Sequence, residues 1–182
     1  MSVARNRFAL ANHPRIKVLV ERLWSPWRHA YITATGANMS QADSCIFCDA
    51  VKNPADDEKN FVLYRGAHTF VILNLYPYIS GHLMIAPNAH LGELDTTSKE
   101  TTDEMMDLAK RCQTALREIY RPQGFNLGMN LGRAAGAGIA DHIHMHIIPR
   151  WPGDTNFMTS VAETRVLSED LPTTYRKLRE KF

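Results

Sequence analysis

Three of the chain's eight histidines fall within five residues, as His142-Ile143-His144-Met145-His146. An extended segment puts alternate side chains on one face. His142, His144 and His146 then point one way, and Ile143, Met145 and Ile147 point the other, into a core. At about 3.3 Å per residue, neighbouring imidazoles start roughly 6–7 Å apart, a row that spans a di- or triphosphate. Three chemistries fit such a row. One ring could be structural and the others merely exposed. His-x-His on a strand could chelate zinc or iron, although the nearby acid, Asp141, falls on the opposite face. Neutral imidazole, with an ordinary pKa of about 6.5, could attack phosphorus and form a covalent phosphoramidate while its neighbours stabilise and protonate what leaves. The loop Gly132 to Gly138 directly before the row favours the third reading, because Gly136, Ala137 and Gly138 let backbone amides approach an anion. Alone, that loop is only a tight turn.

A second set is Cys45-Ile46-Phe47-Cys48, two thiols at the spacing of a metal or redox site. Three cysteines are an odd count, so a complete disulfide framework is not expected. The third, Cys112, belongs to a helix core.

These residues need a scaffold. Met105, Leu108, Ala109, Cys112, Ala115, Leu116 and Ile119 recur at three- and four-residue steps and predict a helix over 98–120. Thr97 with Glu100 predicts its capping box, and Arg121-Pro122 with Gly124 its end. Runs rich in β-formers predict strands at 61–64, 68–75, 81–87, 125–130 and 141–149, in consecutive antiparallel order. A terminal helix is predicted over 171–182. Residues 1–23 read as a basic arm, Trp24-Ser25-Pro26-Trp27-Arg28 as a turn, 33–44 as a small polar loop, and 24–182 as one domain.

Composition narrows the class. The chain has 182 residues, 45% hydrophobic and 22% charged, which suits one globular α+β domain with a real core. A net charge of +2 is too weak to bind a nucleic-acid polymer by phosphate neutralisation. No apolar run approaches the roughly 18–20 residues of a membrane span, and no secretory signal is visible, so cytoplasm is the expected location.

His142-Ile143-His144-Met145-His146-Ile147-Ile148 resembles the motif of the histidine triad family. With Trp24 to Arg28, Cys45 to Cys48, Asn74 to His82, Asn130-Leu131-Gly132 and Pro149 to Met158, the chain resembles its Fhit-like branch, of the bacterial dinucleoside-polyphosphate hydrolase or phosphorylase type. The resemblance implies a five-stranded antiparallel sheet with a long helix, paired with a second copy into a homodimer with a continuous sheet. It implies that His144 is the nucleophile on the α-phosphorus, that His146 and His82 hold phosphates, and that Asn74 binds ribose. Asn130 and the loop through Gly136, Ala137 and Gly138 would line the phosphate track, and Leu73 and Phe47 would hold adenine. It also implies a structural zinc on Cys45, Cys48, His90 and His142, which competes with a substrate role for His142. One departure stands out. Fhit-type hydrolases carry Gln four residues before the first histidine, where this chain has Gly138; phosphorylases of the branch also lack it. Hydrolase, phosphorylase, nucleoside phosphoramidate hydrolase and non-catalytic nucleotide sensor all stay open at this point.

Overall fold

Two short runs in which every side chain is buried form the middle of a sheet: β2, Thr69–Leu73, and β3, Leu83–Pro87. β-Branched and long apolar side chains pack well on both sides of such strands, which is why these runs show no polar alternation. In this computed structural model, which describes residues 45–154 and 167–182, they are joined by β1 (Val62–Arg65), β4 (Gly124–Met129) and β5 (Met145–Arg150). The order is β1-β2-β3-β5-β4, every neighbouring pair antiparallel. The arm over 1–23, Trp24 to Arg28, the loop over 33–44 and the end of the Pro149 to Met158 segment lie outside the described residues.

Helices cover both faces. On one side lies α2, Lys99–Tyr120, whose stripe of Met105, Leu108, Ala109, Cys112, Ala115 and Leu116 packs on Val71, Leu73, Leu83, Ile85, Met145 and Ile147. α3, Leu171–Arg179, adds Tyr175 and Leu178 to the same core. On the other side the short α1, Ile46–Lys52, lays Phe47 and Ala50 on Val62, Phe70, Ile72, Met84 and Ala86. Even- and odd-numbered residues of β2 and β3 therefore serve different layers, as a period of two requires.

The long helix starts one residue from its predicted cap. Ser98 is the N-cap, its Oγ accepting from Thr101 N at 3.3 Å. The predicted Thr97–Glu100 box does not form, because Thr97 Oγ1 donates instead to Glu93 O at 2.8 Å. At the other end Arg121 turns left-handed (φ 50°) and stops the helix where the Arg-Pro signal placed it. Glu104, on α2, accepts from the N–H groups of Ala67 and His68 and from the Thr69 hydroxyl, which ties the β1–β2 turn to the helix.

The histidine segment is less regular than predicted. Ladder pairing begins at Met145, so His142 and His144 precede β5 and only His146 lies in it. Ile143 N–H donates to Leu91 O at 2.7 Å, holding this lead-in extended.

Candidate active site and metal cluster

Met145 and Ile147 are buried in the core under α2, and Ile143 is buried as well. Their alternates, His144 and His146, share the opposite face with ring centroids 4.9 Å apart, closer than the backbone rise alone predicts because the rings tilt into an edge-on contact. Phe47 of α1 lies 5.1 Å from the His142 ring and 5.0 Å from the His144 ring and roofs both. His82 joins from the mouth of β3, 5.1 Å from His146.

Gly81 explains how His82 gets there. It sits at φ +80°, where a side chain strains the backbone, and a Cβ would lie 2.9 Å from Leu116 Cδ2. The turn it closes brings the Tyr78 N–H to 3.2 Å from His82 Nδ1, and the Asn74 amide to 3.3 Å from the same atom.

These contacts assign the tautomers. Because the Tyr78 N–H donates to His82 Nδ1, that nitrogen is bare and the proton is on Nε2. His82 Nε2–H then donates to His146 Nδ1 at 2.9 Å, which puts the His146 proton on its own Nε2. His144 is set the other way. Its Nδ1–H donates to His142 O at 3.0 Å, leaving the Nε2 lone pair bare. Adjacent rings thus offer a nucleophilic nitrogen (His144) and a hydrogen-bond donor (His146).

Burial keeps the rings neutral. It lowers the pKa of His144, against the pull of the His142 carbonyl, and lowers that of His142, helped by the neighbouring His90 and His144. Burial, with the charge of His144 as a smaller cause, pushes His146 down to about 4. Between about pH 4 and the unfolded value of about 6.5 the unfolded chain binds the extra proton, so His146 stabilises the fold fully above about 6.5 and less as the pH falls. At a half-buried ring this is worth about 1–2 kcal/mol after solvent screening. The urea midpoint is expected to drop between pH 7 and pH 4.5, and to drop less in His146→Asn. Equal drops in the two proteins would show that His146 does not carry this dependence.

A few ångströms away Cys45, Cys48, His90 and His142 converge, their ligand atoms all within 4.8 Å of one another. Cys45 Sγ lies 3.4 Å and Cys48 Sγ 3.7 Å from His142 Nδ1, and Cys48 Sγ lies 3.2 Å from His90 Nδ1. His142 Nε2–H donates to Pro87 O at 2.9 Å, which leaves Nδ1 bare and aimed at the sulfurs. Burial and the neighbouring Cys45 raise the Cys48 thiol. This donor set could hold a metal ion.

A family model, the HIT domain, matches residues 56–153, more than half of the chain. The chain belongs to the HIT domain family. Over 167 residues it is 35% identical to a protein of Mycobacterium tuberculosis named AP-4-A phosphorylase, a match that covers 90% of this chain and 85% of that one. Its fold is similar to that of a Zn-bound histidine triad family protein from Mycobacterium smegmatis (TM-score 0.62, 31% identity, 76% of this chain and 92% of that one). It is also similar to a histidine triad nucleotide-binding protein from Sulfolobus tokodaii (TM-score 0.61, 25% identity, 75% and 91%).

Within this HIT domain the other predicted site residues fare differently. Asn74 stands beside His82, its Oδ1 accepting from Tyr76 N–H at 2.9 Å. Asn130 borders a hollow next to His146. Leu73 does not reach the site. It is fully buried in the α2 core, on the opposite face from the histidines, and its neighbour Ile72 takes the site-side position. Phe47, also fully buried, is a lid over two histidines. The N–H groups of Gly136 and Ala137 donate inside their own loop, to Arg133 O and Gly132 O, so they close that loop and are not offered outward. A Cβ on Gly138 would meet nothing within 4 Å. Arg150 is tied to Asp154. Tyr78 was not singled out in the sequence. Its contribution is a backbone N–H and a ring 4.7 Å from His82, and Pro77 and Gly81 on either side were the only signal of a shaped turn. No helix among the described residues is long and apolar enough to cross a membrane.

Proposed function

We propose that this HIT-domain protein transfers a nucleotidyl group from a dinucleoside polyphosphate, through a covalent bond to His144, onto inorganic phosphate. The observation that carries the reading is the tautomer pair: a bare Nε2 on His144 beside an Nε2–H on His146, fixed through His82 and the Tyr78 amide. His144 Nε2 attacks the α-phosphorus, the N–P bond forms, and the P–O bond to the remaining polyphosphate breaks. His146 Nε2–H stabilises the charge that develops on the oxygens, and His82, whose two ring nitrogens are taken by the Tyr78 N–H and by His146, aligns that donor and does not meet the phosphate itself. Phosphate oxygen then attacks the same phosphorus, and the N–P bond breaks. Asn74 binds ribose, Asn130 and Gly138 border the phosphates, and Gly136 and Ala137 shape the loop. The M. tuberculosis AP-4-A phosphorylase, alike along most of the chain, supports the substrate class. Gly138, where hydrolases of this type carry Gln, supports phosphate over water as the acceptor.

Zinc on Cys45, Cys48, His90 and His142 completes the reading. Tetrahedral Zn–S of about 2.3 Å and Zn–N of about 2.0–2.1 Å put neighbouring S and N ligands about 3.5 Å apart. The three contacts of 3.2–3.7 Å fit that spacing. Such an ion would cross-link α1 to the sheet. A homodimer with a continuous sheet would use the outer edge of β4, where Asn126, Leu127 and Gly128 are exposed.

Product analysis tests the reading. With diadenosine tetraphosphate the protein is expected to form ADP and ATP only when phosphate is added. AMP and ATP without phosphate would make it a hydrolase, and tight binding without product a sensor.

A further inference from the structure

Beside His146 the sheet face opens into a shallow hollow of about 220 Å³, bordered by Tyr78, Asn126, Gly128, Asn130, His146 and Ile148. The register explains its shape. His146 pairs with Gly128 and Ile148 with Asn126, so these four side-chain positions share the histidine face. Gly128 leaves it bare, since a Cβ there would meet nothing within 4 Å. One step on, Arg150 holds Asp154 with Nε at 2.5 Å and Nη2 at 2.7 Å, and its Nη1 donates to Asn126 Oδ1 at 2.8 Å. With Oδ1 taken, what Asn126 offers the hollow is its Nδ2 donor pair. His146 adds Nε2–H by the relay above. Among the described residues no carboxylate borders the hollow.

We infer that this hollow binds the phosphate next to the scissile one, with Asn126 as the residue that selects it and Arg150 as the positioning residue that aims Asn126. The inference rests on the proposed function and deepens it. Displacement at phosphorus by His144 expels the leaving group from the side opposite the ring, and the acceptor must return from that side. One site therefore serves both halves of the reaction. It holds the first phosphate of the departing polyphosphate, and then the inorganic phosphate whose oxygen forms the new P–O bond as the His144 N–P bond breaks. Asn126 lies about 7 Å along the sheet from the His146 and Gly128 pair, the reach of a phosphate just beyond the reacting one.

The test uses the full chain and two readouts: calorimetric binding of inorganic tripolyphosphate, and the KM for inorganic phosphate in diadenosine tetraphosphate cleavage. Asn126→Leu keeps bulk but removes the donors. It is expected to weaken tripolyphosphate binding and raise the KM for phosphate, each about tenfold or more, with kcat at saturating phosphate within a factor of about three. Gly128→Val fills the hollow from an unstrained backbone position and is expected to do the same. Arg150→Gln is expected to move the same KM about three- to fivefold with kcat unchanged, a split that a merely structural role does not produce. If the wild-type protein cleaves the substrate and neither Asn126→Leu nor Gly128→Val moves either readout, the site is refuted and the proposed function survives. If tripolyphosphate binding depends on Asn126 but no cleavage occurs, the site stands and the proposed function fails. Equal loss of kcat and binding in all three variants, with lowered thermal stability, makes the residues structural and also overturns the inference.

Discussion

His144→Ala is expected to lower kcat for diadenosine tetraphosphate by about 10³–10⁴ or more, while nucleotide affinity changes by no more than a factor of a few. The ring proposed to attack is only 6% exposed and is held, among the described residues, by the hydrogen bond from Nδ1 to the carbonyl of His142. Removing it leaves His82 bonded to His146 and to the Tyr78 amide, so the proposed phosphate donor, His146 Nε2–H, stays in place. A loss confined to kcat is the signature of a group that acts only once the bond begins to form. The check has two arms. Steady-state turnover gives kcat, and rapid acid-free quenching of the wild-type protein with radiolabelled substrate captures the acid-labile phosphoramidate, which the variant must lack. Turnover at the wild-type rate in His144→Ala would sink the nucleophile assignment. Residual turnover a thousandfold down is what oriented hydrogen bonds alone supply.

Why that nitrogen is the bare one cannot be read from residue types. The alternation of Ile143, Met145 and Ile147 with the histidines was legible because one face is apolar and the other polar. The long helix was legible from its stripe, and its end from Arg121-Pro122. Cys45 and Cys48 announced themselves by spacing, whereas His90, 42 residues from its sulfur partner, needed the family resemblance. Three things stayed hidden. Phe70 to Leu73 are apolar without a break because the strand is buried on both sides, so nothing in them tells which parity faces the site, and Leu73, expected to hold adenine, lies in the layer away from it. Thr97 and Ser98 are adjacent hydroxyls, and the cap fell to whichever could reach Thr101 N–H. The tautomer relay starts at a backbone N–H, a group that every residue but proline carries. Its position depends on the fold of the turn around Gly81, which no single side chain encodes.

Removing the proposed zinc is expected to lower the melting temperature by about 6–20 °C and to take activity down with it. The four donors come from the start of α1, the segment after β3 and the lead-in to β5, so an ion there closes long loops in chain sequence. Metal affinity of this kind becomes folding free energy wherever the unfolded chain lacks the site. The main core under α2 does not depend on it, so the loss is local: α1 loosens, and Phe47 no longer roofs His142 and His144. A local loss of about 3–5 kcal/mol, at about 2–4 °C per kcal/mol for a chain of this size, gives the stated shift. Catalysis should fall for a different reason. The carbonyl that fixes the His144 tautomer belongs to His142, itself a proposed ligand, so a mobile His142 releases the His144 ring. Chelator treatment and Cys48→Ser are expected to agree, because each removes one part of the same cross-link. Elemental analysis with scanning calorimetry supplies the measurement. Protein that is metal-free yet melts at an unchanged temperature would remove the zinc and leave the case for His144 untouched, since that case stands on hydrogen bonds within the histidine segment and its neighbours alone.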